Sequence, residues 1–311
     1  MFAYISVFFF LWQLVNPASL FYIAKLIGTQ YPDALASSEY RFAYNILVYS
    51  INSPLDGSFT RNCGLFFEPG LHACILCLAL ALNIMRNNLK FERRFFLLTC
   101  VLLTTFSTTG FIIYLFILMV AGYNRSKKYS FLFLPLLTLI LLPFLYSDFF
   151  ILKITNDFEQ MINYEQVFQL AKESDSLQTP GRLISLRLAF IDFQHHPFWG
   201  GGTKVSSLSD LHGGEVMLVS GFAVLLVYYG ISMAIIWIYG FDRFSIFVRS
   251  FYQVKGGKYL LFFVLLLISL SYEIEFPLFF IIATLPFFHS YEHKTIPHPI
   301  KNKNEYIASY I

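Results

Sequence analysis

Arg182 stands at a predicted helix start, where it could bind a phosphate group. It follows Thr179-Pro180-Gly181, in which Thr is a favourable N-cap and Pro a favourable first helical residue. The N–H groups exposed at such a start, together with the forked guanidinium of an Arg, form a good phosphate site. The alternative, which the spacing alone favours, is a solvated Arg on the surface.

Arg61 and Glu68 belong to a second polar segment, Arg61-Asn62-Cys63-Gly64-Leu65-Phe66-Phe67-Glu68-Pro69, which leads into an apolar run. Arg61 is either an anion-binding residue or an interfacial Arg whose charged end reaches water. Glu68 lies where the following helix would begin, so it could bind a ligand or simply complement the helix dipole.

His212 precedes Gly213-Gly214-Glu215 and a further apolar run, which places it near the N-terminus of a predicted membrane helix. The positive end of the helix dipole disfavours an imidazolium, and a neutral imidazole can accept a proton as a general base. The nearby carboxylate of Glu215 would instead favour the charged imidazolium form of His212. The alternative is a His that serves only the structure of its loop.

Cys74 and Cys77, with His72 nearby, could suggest a metal site, but the spacing argues against one. On a helix His72 would point roughly 200° away from Cys74, at about 100° per residue. Buried cysteines usually behave as small hydrophobic residues. The sequence contains no P-loop, no Gly-rich dinucleotide turn and no nucleophile elbow. We therefore expect neither a metal nor a cofactor.

The composition is that of an integral membrane protein. Of the 311 residues, 57% are hydrophobic and 13% charged, whereas soluble domains carry roughly a quarter charged residues. Mean hydropathy is +0.60. The net charge of +3 gives no reason to expect a nucleic-acid partner.

The apolar runs predict where the chain crosses the bilayer, since a spanning helix needs about 20 apolar residues. The N-terminal run has no basic residues before it, so it is predicted to be a membrane helix rather than a signal peptide. Two runs are too long for one span, short for two, and polar in the middle, so they are hairpins or long kinked helices. Single spans are predicted at 2–27, 69–85, 129–147 and 215–240, and the two longer runs are 95–123 and 259–289.

Basic residues favour the hairpins, because they mark the cytoplasmic side of a membrane protein. Lys and Arg form four clusters, at 86–94, 125–128, 243–258 and 294–303. All four basic clusters fall on one side of the membrane only if both long runs are hairpins. We therefore predict an all-α polytopic fold with about eight membrane segments in one domain, 1–311, and a cytoplasmic tail at 290–311. The segments 28–68 and 148–214 then face outward, and 148–214 contains eight acidic and five basic residues.

The outer loop 148–214 is predicted to contain an amphipathic helix. After Arg182 the sequence LISLRLAFIDFQ places Leu183, Leu186, Phe190 and Phe193 along one face, which would lie against the membrane or the top of the protein. His196-Pro197 ends the helix, and Gly200-Gly201-Gly202 makes a flexible turn.

The order of these pieces resembles the O-antigen ligase and polymerase family of bacterial envelope enzymes. The segment 61–69 is similar to the family's R-x-x-G-x-F-x-E/N-P, and LTCVLLTTFSTTG at 98–110 to an apolar run ending in T-x-S-R-G. GRLISLRLAFIDFQHHPFWGGG at 181–202 resembles G-R-x-x-x-W-x-x-A-x-x-x-F-x-x-x-P-x-x-G-x-G. A loop His before a span ending in Tyr229-Gly230-Ile231 completes the pattern. The resemblance covers about residues 45–289, and family members usually have several more helices before the first motif.

The resemblance implies a metal-independent glycosyltransferase of the bacterial inner membrane. Its donor would be an oligosaccharide on undecaprenyl diphosphate. Arg61 and Arg182 would bind the diphosphate, aided by Glu68, and His212 would activate the acceptor hydroxyl. A partner that regulates chain length is a further expectation. Thr108-Thr109 departs from the family by replacing an Arg, and Gly213 replaces an Asn often found in ligases.

We expect a polymerase of O-antigen, capsule or exopolysaccharide repeat units, because Gly213 and the short chain slightly favour it. The alternatives are a ligase that transfers finished polymer to a lipid A core, a transporter or flippase of lipid-linked sugars, and a non-catalytic assembly subunit. A transporter would need charged or broken helices around a cavity at mid-membrane. Here the polar groups gather outside the apolar runs.

Overall fold

The computed structural model of the chain is mainly α-helical. It describes residues 2–30, 40–46, 48–54, 60–66, 68–125, 155, 158–159, 162–163, 182–202, 220–254, 257 and 259–272. The helices discussed below are α1 (Phe2–Val15), α2 (Pro17–Ile27), α3 (Pro69–Arg86), α4 (Arg93–Leu103), α5 (Thr108–Arg125), α6 (Arg182–His195), α7 (Gly221–Phe251) and α8 (Leu260–Ser271). The strands are β1 (Thr29–Gln30), β2 (Tyr40–Ile46) and β3 (Tyr49–Pro54).

The apolar run 2–27 is two helices rather than the single span that its length predicts. Pro17 has no N–H to donate, its ring would collide with a preceding carbonyl, and it disfavours helical geometry at Asn16. Asn16 accordingly leaves the helix, at φ −147° and ψ 79°, and its side chain accepts a hydrogen bond from the N–H of Ser19 at 3.1 Å. The chain therefore stops α1 and caps α2 at this point, and the prediction of one span was wrong.

A three-stranded antiparallel sheet in the order β1-β2-β3 follows α2. It lies in the segment 28–68, for which the sequence predicted no secondary structure, so the fold is mostly but not wholly helical. The Tyr49 hydroxyl donates to the Gln13 side-chain oxygen at 2.6 Å, which ties the sheet to α1. The small core between α1, α2 and the sheet consists of Phe10, Leu20, Ala24, Ile46, Tyr49 and Ile51.

A second and larger core lies between α3, α4, α5, α7 and α8. The run 95–123 is the predicted pair of helices, α4 and α5, with the break at 104–107. The Phe95 ring stacks on that of Tyr114 with centroids 6.1 Å apart, so α5 doubles back along α4. The predicted pair of helices is thus present, and a hairpin that crosses the membrane here stays a prediction.

In the described part of the chain, α3 and α7 are the two helices long and apolar enough to cross a membrane. They correspond to the predicted spans 69–85 and 215–240. The span 129–147, most of the loop 148–214, the second half of 259–289 and the tail 290–311 lie outside the described residues. The total of about eight membrane segments therefore stays a prediction.

Candidate functional site

Asn62 fastens the Arg61 segment to the turn between α4 and α5. Its side chain is fully buried. The Asn62 amide donates to the Thr104 hydroxyl at 2.8 Å and to the Ser6 hydroxyl at 3.3 Å, and its oxygen accepts from the N–H of Gly64 at 3.0 Å. The Asn62 N–H also donates to the Thr104 carbonyl at 3.0 Å. One side chain therefore joins α1, the segment 60–66 and the end of α4.

Two hydrogen bonds fix the start of α5 next to the turn between α4 and α5, and both involve the backbone of Gly110. The buried Ser107 hydroxyl accepts from the N–H of Gly110 at 3.2 Å, which satisfies a donor in the first turn of α5. The Cys77 thiol donates to the Gly110 carbonyl at 3.3 Å. Cys77 thus contributes to the packing of α3 against α5.

Cys63 is buried in the segment 61–69, the first motif of the family resemblance, between the charged residues Arg61 and Glu68. Burial raises the pKa of its thiol to about 12, while Arg61 lowers that pKa and Glu68 raises it. Both charges therefore lie within electrostatic range of one buried thiol. The thiol donates to the Arg61 carbonyl at 3.6 Å, which closes a tight turn of the backbone.

Glu68 links the first motif to the far end of the chain. Its carboxylate accepts a hydrogen bond from the Tyr272 hydroxyl at 2.8 Å, across 204 positions of sequence. Tyr272 lies directly over Gly70, where a Cβ would fall 1.6 Å from the Tyr272 hydroxyl oxygen. The absence of a side chain at Gly70 is what allows Tyr272 to reach Glu68.

His72 packs against the backbone of the segment 60–66 at Gly64. Its imidazole is buried against Gly64, which has φ +54°, and a Cβ there would lie 2.4 Å from the ring. The Phe66 ring lies 6.2 Å from the imidazole, centroid to centroid. His72 is therefore buried under the loop.

The start of α7 lies at the same end of the helix bundle. The Ser220 hydroxyl, which is buried just before α7, donates to the Leu270 carbonyl at 2.7 Å. Leu270 is two residues from Tyr272, the partner of Glu68. The first motif and the chain that enters α7 are therefore connected through the end of α8.

Helix α6 packs on the first half of α7. The apolar side chains that form this contact are Ile184, Leu188 and Ala189 of α6 with Ala223 and Val227 of α7. The apolar face that the sequence predicts to lie against the membrane or the top of the protein includes Phe190 and Phe193. Phe190 is in fact 57% exposed. The contact with α7 is therefore made by a neighbouring face of α6.

The turn after α6 is bonded into a break in α7. Gly230 has φ 68° and ψ −169°, which interrupts the helix. The N–H groups of Gly201 and Gly202 donate to the carbonyls of Val227 and Tyr228, at 2.8 and 3.0 Å. The N–H groups of Ile231 and Ser232 donate to the carbonyls of Pro197 and Phe198, at 2.9 and 3.4 Å. The turn 197–202 therefore satisfies backbone groups that the break sets free, as a helix in an apolar setting requires.

These contacts give the direction of α6. The turn that follows α6 is bonded to residues 227–232, and the packed face of α6 contacts residues 223–227. Helix α6 therefore runs alongside the first half of α7, with its first turn toward Ser220. The predicted flexible turn at 200–202 is thus a bonded structural element.

The predicted site residues are described to different extents. Arg61 and Glu68 lie in one segment, and both are half-buried. Arg182 is the first residue of α6, but its side chain lies outside the described atoms, as does all of His212. The sequence did not single out Asn62, Tyr272 or Gly70 as site residues. Asn62 and Gly70 lie within or beside the first motif, whereas nothing near Tyr272 signalled its role.

Among the described residues, no three His, Cys, Asp or Glu side chains are grouped so that they could hold a metal ion. The charged residues that the structure describes at this site are Arg61 and Glu68.

Comparison with known proteins finds one family model that matches part of the chain. Residues 95–218 match the family model described as O-Antigen ligase. This match begins in α4 and extends through α6 to just before Ser220. No curated protein and no solved structure matches the chain. Over residues 95–218, the chain is thus similar to the O-antigen ligase family.

Proposed function

We propose that the protein is a polysaccharide polymerase of the bacterial inner membrane. It joins oligosaccharide repeat units carried on undecaprenyl diphosphate, on the outer face of that membrane. The units would belong to an O-antigen, a capsule or an exopolysaccharide. The proposal rests on the similarity of residues 95–218 to the O-antigen ligase family and on the contacts around Glu68.

The hydrogen bond from Tyr272 to Glu68 is the observation that carries the proposal. Together with the bond from Ser220 to Leu270, it joins the Arg61 segment to the start of α7. His212 lies eight positions before Ser220, a distance of at most about 28 Å along an extended chain. Helix α6 begins with Arg182, and its first turn lies toward the same end. All the proposed site residues can therefore meet over the N-terminal end of α3.

The proposed reaction transfers a glycosyl group with inversion. His212 takes the proton of the acceptor hydroxyl as its oxygen bonds to the anomeric carbon of the donor. The bond from that carbon to the diphosphate oxygen breaks, and the lipid diphosphate leaves with the electron pair. Arg61 and Arg182 stabilise the charge that grows on the leaving group, which is the largest electrostatic demand of such a step. Glu68 keeps the Arg61 segment in place through Tyr272.

A ligase is the second candidate, because the matching family model is described by that activity. A ligase uses the same donor chemistry but transfers the finished polymer to a lipid A core. A partner that sets chain length would be needed only by a polymerase.

One assay separates the candidates. The protein, purified in detergent, is supplied with a lipid-diphosphate oligosaccharide, with and without lipid A core. A polymerase lengthens chains in both samples, and a ligase transfers sugar only to the core lipid. If neither reaction occurs in detergent while vesicles containing the protein move the donor across the bilayer, the proposed function is wrong. A chelator should leave chain growth unchanged.

A further inference from the structure

Two aromatic residues in the turn after α6 are unusually exposed. Trp199 is 82% exposed and Phe198 is 68% exposed. Large aromatic side chains normally contribute most of their surface to a core or an interface. The backbone that carries them is nevertheless fixed, since the carbonyls of Pro197 and Phe198 accept hydrogen bonds from α7. The Ser232 hydroxyl adds a third bond, at 2.7 Å to the Phe198 carbonyl. The pair is therefore held outward by a rigid turn.

The exposed pair borders a surface that suits lipid. Helix α7 is long and apolar enough to cross a membrane. Next to the turn, Ile231 is 41% exposed and Ile235 is 60% exposed. Water disfavours such a run of exposed isoleucines, whereas acyl chains accept it.

The other side of the pair is polar. Gln194, His195 and His196 come immediately before the turn, and all three are exposed. Phe198 and Trp199 thus separate apolar side chains of α7 from polar side chains at the end of α6. Trp in membrane proteins concentrates at this kind of boundary, because its ring is apolar and its N–H can bond to water or headgroups.

We propose that Phe198 and Trp199 insert into the headgroup boundary of the bilayer, on the side opposite the basic clusters of the sequence. The occupant of this surface is phospholipid. The turn 197–202 then anchors the C-terminal end of α6 to the membrane surface, and four backbone bonds fix that turn to α7. Phe190, exposed on the outer face of α6, extends the same contact along the helix. This inference does not depend on the chemistry proposed above.

Fluorescence quenching tests the proposal directly. The chain has three Trp residues, at 12, 199 and 237. The double variant Trp12→Phe/Trp237→Phe leaves Trp199 alone, and Trp12→Phe/Trp199→Phe leaves Trp237, which is buried in the helical core. Both are reconstituted into bilayers of phospholipid brominated near the headgroup, phospholipid brominated near the methyl end, or unbrominated phospholipid. Acrylamide reports access from water.

We expect headgroup-proximal bromine to quench Trp199 several-fold more than methyl-end bromine, with little quenching by acrylamide. Trp237 should respond weakly to every quencher. Strong quenching of Trp199 by acrylamide alone would place the turn in water and overturn the proposal. Shielding from both bromine and acrylamide would indicate a protein contact instead. Bromine quenching that disappears when a polyprenyl phosphate is added would assign the surface to that lipid.

A single substitution provides a test that does not depend on correct folding of the double variants. Trp199→Phe alone changes a side chain that is 82% exposed. Comparing its quenching with that of the unsubstituted protein gives the share due to Trp199. We expect the quenching by headgroup-proximal bromine to fall by more than half. An unchanged value would contradict the proposal.

Discussion

Gly200 and Gly230 face each other so closely that neither position has room for a side chain. A Cβ on Gly230 would lie 2.5 Å from the Phe198 carbonyl oxygen and 2.7 Å from the Gly200 nitrogen. A Cβ on Gly200 would lie 2.4 Å from the backbone of Tyr228 and Tyr229. Both glycines have positive φ, +69° and +68°. Two motif pieces that are 30 positions apart are therefore one structural unit.

Substitution of either glycine should separate α6 from α7. In Gly200→Ala and Gly230→Ala, the positive φ costs about 1–2 kcal/mol, and the collision adds about 1–3 kcal/mol. Gly202→Ala is the matched control: Gly202 also has positive φ, but no described atom lies within 4 Å of the Cβ position. Thermal unfolding in detergent should rank Gly202→Ala well above the other two in stability. Equal losses in all three variants would mean that the close approach is unimportant.

Loss of the Asn62 side chain should release the Arg61 segment. Asn62→Ala removes three buried hydrogen bonds, and the buried Gly64 N–H loses its acceptor, so we expect a loss of about 2–4 kcal/mol. Asn124→Ala removes an exposed bond within one helix, to the Val120 carbonyl, and should cost under about 1 kcal/mol. The check is the free energy of unfolding in denaturant. Similar values for both variants would refute the role given to Asn62.

The Tyr272 bond gives a test of what Glu68 does. Glu68→Gln keeps an oxygen that can accept from Tyr272 but removes the charge, whereas Tyr272→Phe removes the bond and keeps the charge. If Glu68 acts through position, chain growth should stay within about twofold in Glu68→Gln and fall about fivefold or more in Tyr272→Phe, for a lost bond of about 1 kcal/mol or more. Gly70→Ala, which displaces Tyr272, should resemble Tyr272→Phe. The reverse ranking would show that the charge of Glu68 is what the reaction needs.

The buried thiol of Cys63 predicts a dependence on alkaline pH. Its pKa of about 12 in the folded protein exceeds the ordinary value of about 8.5, chiefly because of burial. The unfolded chain therefore loses this proton first. Cys63 has no effect on stability below about pH 8.5, and it lowers stability progressively between about pH 8.5 and 12.

Alkylation followed by mass spectrometry measures this directly. At pH 9 a membrane-permeant maleimide should modify Cys100, which is exposed, and leave Cys63 unmodified until the protein unfolds. Cys63→Ser should remove the part of the stability loss that this thiol causes. Rapid labelling of Cys63 in the folded protein would show that the thiol is not buried.

The sequence predicted features that depend on local chemistry. The helix start at Pro69, the break in the polar middle of 95–123 and an apolar helix within 215–240 follow from proline, polar residues and apolar length, and the structure contains all three. The break at Asn16-Pro17 follows from the same rules and was nevertheless missed, because the length of the apolar run was given more weight than the proline.

Other features depend on contacts between distant segments. The pairing of β2 with β3 and the bond from Tyr272 to Glu68 leave no local pattern that points to the partner. The face of α6 that contacts α7 was not predicted, because several faces of that helix are apolar and only the partner helix selects among them. The pairing of Gly200 with Gly230 was also not predicted, although both glycines lie in segments that carried the family resemblance.

Chain growth by single-residue variants in detergent tests the central claim, which is that Arg182 and His212 carry out glycosyl transfer. Arg187→Ala and His196→Ala are the controls, since both side chains lie on α6 or the turn after it and are exposed. Arg182→Ala and His212→Ala should lower the rate of chain growth about 100-fold or more. The controls should stay within about twofold of the unsubstituted protein. Normal chain growth in both Arg182→Ala and His212→Ala would contradict the proposed active site.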